Sequence, residues 1–456
     1  MAIFKKGNMD DIAEDIVPQN SNEHGTDSYK VEHDPFGNEE GSGIHYKSLK
    51  WWQCSLLMIA ETISLGILSL PAVIATMGFI PGVLLILGFG IICTYTGYVM
   101  GQFRQAHPSI HSFADAGQMF LGRPGRYLVE VAQALVLTFI VAAHILTFSI
   151  MMNVLTGHAT CTVTWAAIGT IITLVMSLPR TLKNISLLSF FSCMSILVAV
   201  IVTMIAVGIV KPDAHSAVLV VPGYDTSVQN YALGISNILI AFTGHTAYFT
   251  FIAELKRPED FPKSLALLQS LCITAYVVIA VVIYAYAGKG VAAPALSSTT
   301  PIVRKIAYGI AIPTIVVAGV VNAHVCIKNI YVRMWRGTDV MHQKGLKSLG
   351  SWYGLAFVCC VAAFLIANAI PVFSDLLGLL GALFCTWFSL GLPSSFWLAM
   401  NKHQLFINWK KSSLTVLNIL ICLISLVMCV MGTWASIKSI VDASTTRKPF
   451  SCADNS

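Results

Sequence analysis

Charge is what this sequence has least of. Asp, Glu, Lys and Arg make up 11% of its 456 residues, where a soluble protein carries about 25%. Hydrophobic residues make up 56%, and mean hydropathy is +0.73. One core cannot hide that much apolar surface from water, so a soluble globular fold is excluded. Chemistry-bearing motifs are also missing. The sequence has no Walker phosphate loop, no nucleophile elbow and no Cys/His metal spacing. A primary pump built from this chain alone is thereby excluded, and neither an enzyme, a metal nor a cofactor is expected. A cleavable leader is not expected either: the first long apolar run starts near Trp51, behind a polar stretch, and is too long for a signal-peptide core. The net charge of +6 does not indicate a nucleic-acid partner. Ten of the 22 acids fall in the first 50 residues beside five lysines, which leaves the basic excess in the loops beyond.

Long apolar runs are what the sequence has instead. A spanning helix takes about 20 apolar residues. Eleven stretches can be drawn, at about 51–76, 80–103, 127–156, 163–178, 185–210, 230–254, 264–288, 303–327, 350–370, 373–400 and 412–438. The expected fold is an all-α integral membrane protein of eleven spans. Residues 1–48 read as a cytosolic, acidic, disordered tail, 49–440 as the membrane domain and 441–456 as a short extracellular tail. Trp51, Trp52, Trp352 and Trp409 lie at span edges, where amphipathic rings prefer the headgroup level. With the N-terminus inside, the inner segments hold 21 of the 28 Lys and Arg, a bias that fixes orientation and puts the C-terminus outside. The sequon Asn184-Ile-Ser186 then falls in an inner loop and is expected to stay unglycosylated.

Two spans carry breaking residues near their middles. The first contains Glu61-Thr-Ile-Ser64-Leu65-Gly66-Ile-Leu-Ser69-Leu-Pro71; the sixth contains Phe242-Thr243-Gly244-His245. In lipid, unwound backbone survives only where protein or a cavity surrounds it. Spans one and six open two five-span halves of opposite direction, which is an inverted repeat with a midplane site. Half-helix N-termini at such a site suit a carboxylate.

With these residues in place, a family becomes visible. Gly66-Ile-Leu-Ser-Leu-Pro71, Phe113-Ala-Asp115 through Gly122-Arg-Pro-Gly125-Arg126, and Phe242-Thr-Gly244-His245 running to Glu254-Leu-Lys-Arg-Pro258 resemble the amino acid/auxin permease family. The likeness is greatest to its fungal branch of neutral and aromatic amino acid permeases and covers nearly the whole chain from about Lys47. Thr160-Cys161-Thr162 and the tail Lys448-Pro-Phe-Ser-Cys452 share in it. The resemblance implies a five-plus-five inverted-repeat (LeuT-like) fold plus one helix, with helices one and six discontinuous. It implies proton-driven uptake of free amino acids across the plasma membrane, and tail lysines (Lys5, Lys6, Lys30) serving the ubiquitin machinery.

The candidate site follows from the breaks. Backbone N–H groups around Ser64, Leu65 and Gly66 are expected to hold the substrate carboxylate. Carbonyls around Phe242 and Thr243, beside Gly244, would accept from its amino group. Phe242 and Ile140 would line an apolar pocket, with Asn322 in reach from span eight. Glu61 is costly as a bare charge in a membrane, so it is either protonated or paired; carrying the coupling proton is the functional role open to it. Histidine as a residue type titrates in the physiological range, so His245 can relay a proton, bind substrate or satisfy freed carbonyls. His144 and His324 are more often helix–helix partners. Glu254, near an inner helix end, is expected to pair with an inner Lys or Arg as part of a gate. Ten of the twelve cysteines lie in spans and read as packing residues. Cys161 and Cys452 are both expected outside, where a disulfide can form. Sodium coupling is the alternative to the proton, although Thr314 is the only hydroxyl near the middle of span eight. A non-transporting amino acid sensor is the alternative to a carrier.

Overall fold

The computed structural model describes residues 47–180, 183–211, 219–221, 226–335, 338–341, 345–444 and 448–455. The expected N-terminal tail, with Lys5, Lys6 and Lys30, lies outside the described residues, as does the side chain of Ser64. Thirteen α-helices account for nearly all of the rest. They are α1 (Trp51–Met77), α2 (Phe79–Ala106), α3 (Phe113–Thr156), α4 (Thr162–Met176), α5 (Lys183–Val210), α6 (Val228–Ala241), α7 (His245–Glu254), α8 (Phe261–Ala287), α9 (Pro301–Trp335), α10 (Leu346–Ala369), α11 (Phe373–Leu380), α12 (Leu392–Met400) and α13 (Trp409–Ser444). Wide π-type turns over Gly381–Gly391 join α11 to α12 as one span. Among the described residues the sole β pairing is an isolated parallel bridge between Leu49 and Leu255.

Nine of these segments are long and apolar enough to cross a membrane, with α6 and α7 counted together, and the bent α1 makes ten. Helix α4 has 15 residues and falls below the usual length. Position in the bundle follows side-chain burial. The spans 113–156 and 228–254 bury 83% and 89% of their apolar stretches, whereas α13 buries 22% and turns its Leu, Ile and Val side chains outward. The two broken spans and α3 are therefore central, and α13 is peripheral. Helix α9 runs along α3 and α5, and α1 runs along α6 and α8.

Local sequence explains the main irregularities. Helix α3 starts earlier than the apolar pattern indicates, because Ser112 and Asp115 cap it: Asp115 Oδ2 accepts from the N–H groups of His111 (3.0 Å) and Ser112 (3.2 Å). At Gly122 (φ +64°) the chain turns from this amphipathic stretch into the span proper. Trp51, Trp52 and Trp409 are exposed at helix ends, but Trp352 is fully buried. Its Nε1–H donates to the Ser177 carbonyl at 3.2 Å, so its indole joins α10 to the end of α4 instead of sitting in an interface belt. Asp375 lies in the first turn of α11 and accepts from Ser439 Oγ of α13 at 2.8 Å.

A disulfide joins Cys161, before α4, to Cys452 in the C-terminal tail, 291 residues on. Beyond that bond Ala453 and Asp454 are exposed, but Asn455 is buried. Asn455 Oδ1 accepts from Asn153 Nδ2 (2.8 Å), its Nδ2 donates to Ser149 Oγ (3.1 Å), and Thr162 Oγ1 donates to the Ala453 carbonyl (2.7 Å). The strap thus draws together α3 and α4.

Candidate substrate site at two broken helices

Helix α1 bends by 43° between Trp51–Ile63 and Leu65–Met77. The sixth span unwinds over 242–244 and resumes at His245. The two breaks meet each other reciprocally. A Cβ placed on Gly66, just after the first break, would lie 2.5 Å from Ala241 Cα, just before the second; a Cβ on Gly244, after the second break, would lie 2.7 Å from Thr62 Oγ1, before the first. Glycine is required at both positions because atoms of the other broken helix occupy the volume of a side chain. This reciprocal crossing is the local form of an inverted repeat.

One hydroxyl serves both breaks. Tyr276 of α8 is fully buried, and its O–H lies 2.9 Å from the Thr62 carbonyl and 2.7 Å from the Ala241 carbonyl. Each belongs to the residue that precedes a break, where regular helix hydrogen bonding ends. Its ring packs edge-on against Phe242 at 5.1 Å. Removing this single donor with Tyr276→Phe leaves two buried carbonyls short of a partner, at a cost of about 1–3 kcal/mol. We expect the maximal uptake rate to fall about tenfold at unchanged protein level, as measured by initial-rate kinetics.

Beside the crossing lies a cavity of about 20 Å³ lined by Glu61, Thr62, Leu65, Gly66, Ile140, Ala143, His144, Ile240, Thr243, Leu377 and Leu380. That volume holds about one water, so the site is closed around its centre. Of the residues named from the sequence, Glu61, Leu65, Gly66, Ile140, His144 and Thr243 line it. Phe242, Gly244, His245 and Asn322 do not. Phe242 points toward α8 and α2. His245 Nε2 donates to the Cys93 carbonyl of α2 at 3.1 Å, with Thr96 Oγ1 also at 3.1 Å. Asn322 is fully buried and donates to the Ala318 carbonyl of its own helix at 3.0 Å. His144 Nδ1 donates to the Ile315 carbonyl at 3.0 Å, pinning α3 to α9. His324 packs edge-on against Trp352 at 5.2 Å.

Thr62, Tyr276, Leu377 and Leu380 escaped the sequence reading. A signal existed for Tyr276, since a tyrosine in the middle of an apolar span needs a partner for its hydroxyl. None existed for Leu377 and Leu380, which look like any other lipid-span leucines.

The polar groups at the site are few and of complementary kind. Helix α7 begins in mid-span, and its N-cap, Gly244, has no side chain to cap it. Its first N–H groups therefore lack intrahelical partners and form the positive end of a helix dipole. Thr243 Oγ1 donates to the Leu239 carbonyl (2.9 Å) and accepts from Ser389 Oγ (3.3 Å). Glu61 is the one carboxylate lining the cavity; most of the remaining wall is aliphatic. These residue types suit the two charged groups and the apolar side chain of an amino acid, although the closed cavity has room for about one water.

Residues 47–438 match the model of the family described as transmembrane amino acid transporter protein. The chain belongs to that family. A relative in Neurospora crassa, the N amino acid transport system protein, is 33% identical over 96% of each chain. A transmembrane transporter of Gibberella moniliformis is 29% identical over 97% of this chain and 95% of its own. Among solved structures, MhsT in complex with L-phenylalanine matches with a TM-score of 0.56 at 15% identity, covering 86% of this chain and all of that one; the likeness is one of fold. This family member is a multi-pass amino acid transporter, not an enzyme.

Proposed function

We propose that the protein is a proton-coupled symporter that imports neutral aliphatic and aromatic amino acids across the plasma membrane by alternating access. With α4 counted as an eleventh span, the N-terminus is cytosolic and the C-terminus extracellular, an orientation supported by the basic bias of the inner segments. One observation carries the reading: the broken helices enclose a cavity whose wall is mainly Leu65, Ile140, Ala143, Ile240, Leu377 and Leu380, with a single carboxylate, Glu61, at its edge. The aliphatic wall selects an apolar side chain. The carboxylate, next to the half-helix ends, is placed to take up a proton before substrate binds and release it after. Thr314, the hydroxyl available to a sodium ion in α9, is held by Ser192 and Ser195 of α5, which favours the proton.

The test is uptake of labelled leucine and phenylalanine into proteoliposomes with an imposed pH gradient and no sodium. At one proton per substrate, each pH unit supplies about 1.4 kcal/mol, or about tenfold accumulation. We expect that accumulation, and its collapse with a protonophore. Accumulation that requires sodium would transfer the coupling to that ion. Binding without flux would make the protein a sensor.

A further inference from the structure

Where α7 ends, one residue ties that end to two other parts of the bundle. Glu254, the last residue of α7, accepts at Oε1 from Lys328 Nζ of α9 at 2.5 Å, with both side chains fully buried. Its main-chain carbonyl is one of the acceptors that a helix C-terminus leaves without intrahelical partners. That carbonyl accepts from the Leu49 N–H at 3.0 Å, and the Lys256 N–H returns a bond to the Leu49 carbonyl at 2.9 Å. Leu49 precedes α1, so the clip ties the beginning of one broken helix to the end of the other. One turn back, Thr250 Oγ1 donates to Asn329 Oδ1 at 2.8 Å, and Gln133 Nε2 of α3 donates to the Thr246 carbonyl at 2.7 Å. Beneath these contacts lies a second narrow cavity lined by Asp115, Arg126, Glu130, Cys326 and Arg333, among others. Cys326 itself is 2% exposed.

We infer that the Glu254–Lys328 pair is the latch of the inner exit, and that Lys328 is the positioning residue that sets how readily it opens. A buried ion pair is a poor stabiliser compared with apolar side chains of similar volume, because both charges give up their hydration. It is a good switch for the same reason. Closed, the charges satisfy each other. Opened to water, each regains its hydration shell. Half open and dry, both are left costly, so the pair favours two states over intermediates. The ammonium also lies at the C-terminus of α7, where the helix dipole favours a cation. The inference rests on the transporter reading but on neither Glu61 nor the coupling ion.

Two variants of the full-length protein in proteoliposomes test it, with Cys326 as native reporter. A membrane-impermeant maleimide is applied to the face that carries Leu49, and labelling is assigned by peptide mass spectrometry. Lys328→Met removes the Lys328 ammonium from the buried Glu254 carboxylate and weakens the closed state, so Cys326 labelling should rise about tenfold. The apolar pair Glu254→Leu/Lys328→Met keeps the closed state packed and removes the hydration gained on opening, so labelling should fall about tenfold below the wild type. Uptake should drop in both. A merely structural pair does not move labelling in opposite directions: changes of the same sign, or labelling equal to the wild type in both, would overturn the latch. Should Lys328→Met fail to fold, the apolar pair decides alone, by falling or not falling.

Discussion

Gly66→Ala should nearly abolish transport. The added methyl would lie 2.5 Å from Ala241 Cα and 2.7 Å from Ala241 Cβ, both far inside van der Waals contact. The obstruction is backbone, which cannot rotate away as a side chain can, so α1 and α6 must separate at their crossing. Overpacking of this kind costs about 1–3 kcal/mol. Concentrated at the element that must rock, the upper end of that range lowers the uptake rate about a hundredfold, at 1.4 kcal/mol per decade. Trimming the neighbour gives a sharper test. Ala241→Gly removes the Cβ contact but leaves the Cα at 2.5 Å, so the double variant Gly66→Ala/Ala241→Gly should recover only a minor part of the activity. Gly88→Ala is the control, since a Cβ there meets nothing within 4 Å; its uptake should match the wild type. Normal initial rates in Gly66→Ala would show that the two broken helices do not cross where the structure puts them.

Much of this arrangement was legible because it is written in residue types that membranes tolerate poorly. Runs of about twenty apolar residues located the spans, and Gly66, Gly244 and the polar residues beside them marked the breaks. The bend at 63–65, the unwinding at 242–244 and the placing of Glu61, Leu65, Gly66 and Thr243 on one cavity are where that reasoning led. It could not assign direction to side chains near a break. Phe242 begins the unwound stretch and His245 follows it, yet both turn toward neighbouring helices. A residue one step past a break can face either side, and periodicity is lost at the point where it is needed. Nor does sequence place partners in space: Tyr276, in mid-span, signals that its hydroxyl needs a partner but not which one, and the third wall of the cavity, Leu377 and Leu380, carries no signal at all. Helix α4 illustrates another limit. Its 15 residues read as a span only with the polar residues at its end, so hydropathy alone leaves the topology resting on its neighbours.

Glu61→Gln should uncouple the transporter. Glutamine keeps the shape and the hydrogen-bonding capacity of a protonated glutamate but cannot take up or release a proton near neutral pH. The variant should therefore mimic the loaded carrier permanently. If the proton travels on Glu61, accumulation against a gradient disappears, while exchange of labelled for unlabelled amino acid, which needs no net proton movement, persists. With two pH units imposed and one proton per substrate, the wild type should reach about a hundredfold accumulation and the variant about one. His245 provides the comparison. Its Nε2 is engaged with the Cys93 carbonyl and Thr96, and its ring lies outside the cavity lining, so His245→Gln should slow uptake yet preserve the concentrating step. The reverse pattern, with accumulation kept in Glu61→Gln and lost in His245→Gln, would move the proton to the imidazole and leave Glu61 a structural acid. Retention in both would exclude the two titratable groups nearest the breaks. The coupling would then reside on His144, which also lines the cavity, or beyond it, and the closed geometry around Glu61 would reflect substrate binding alone.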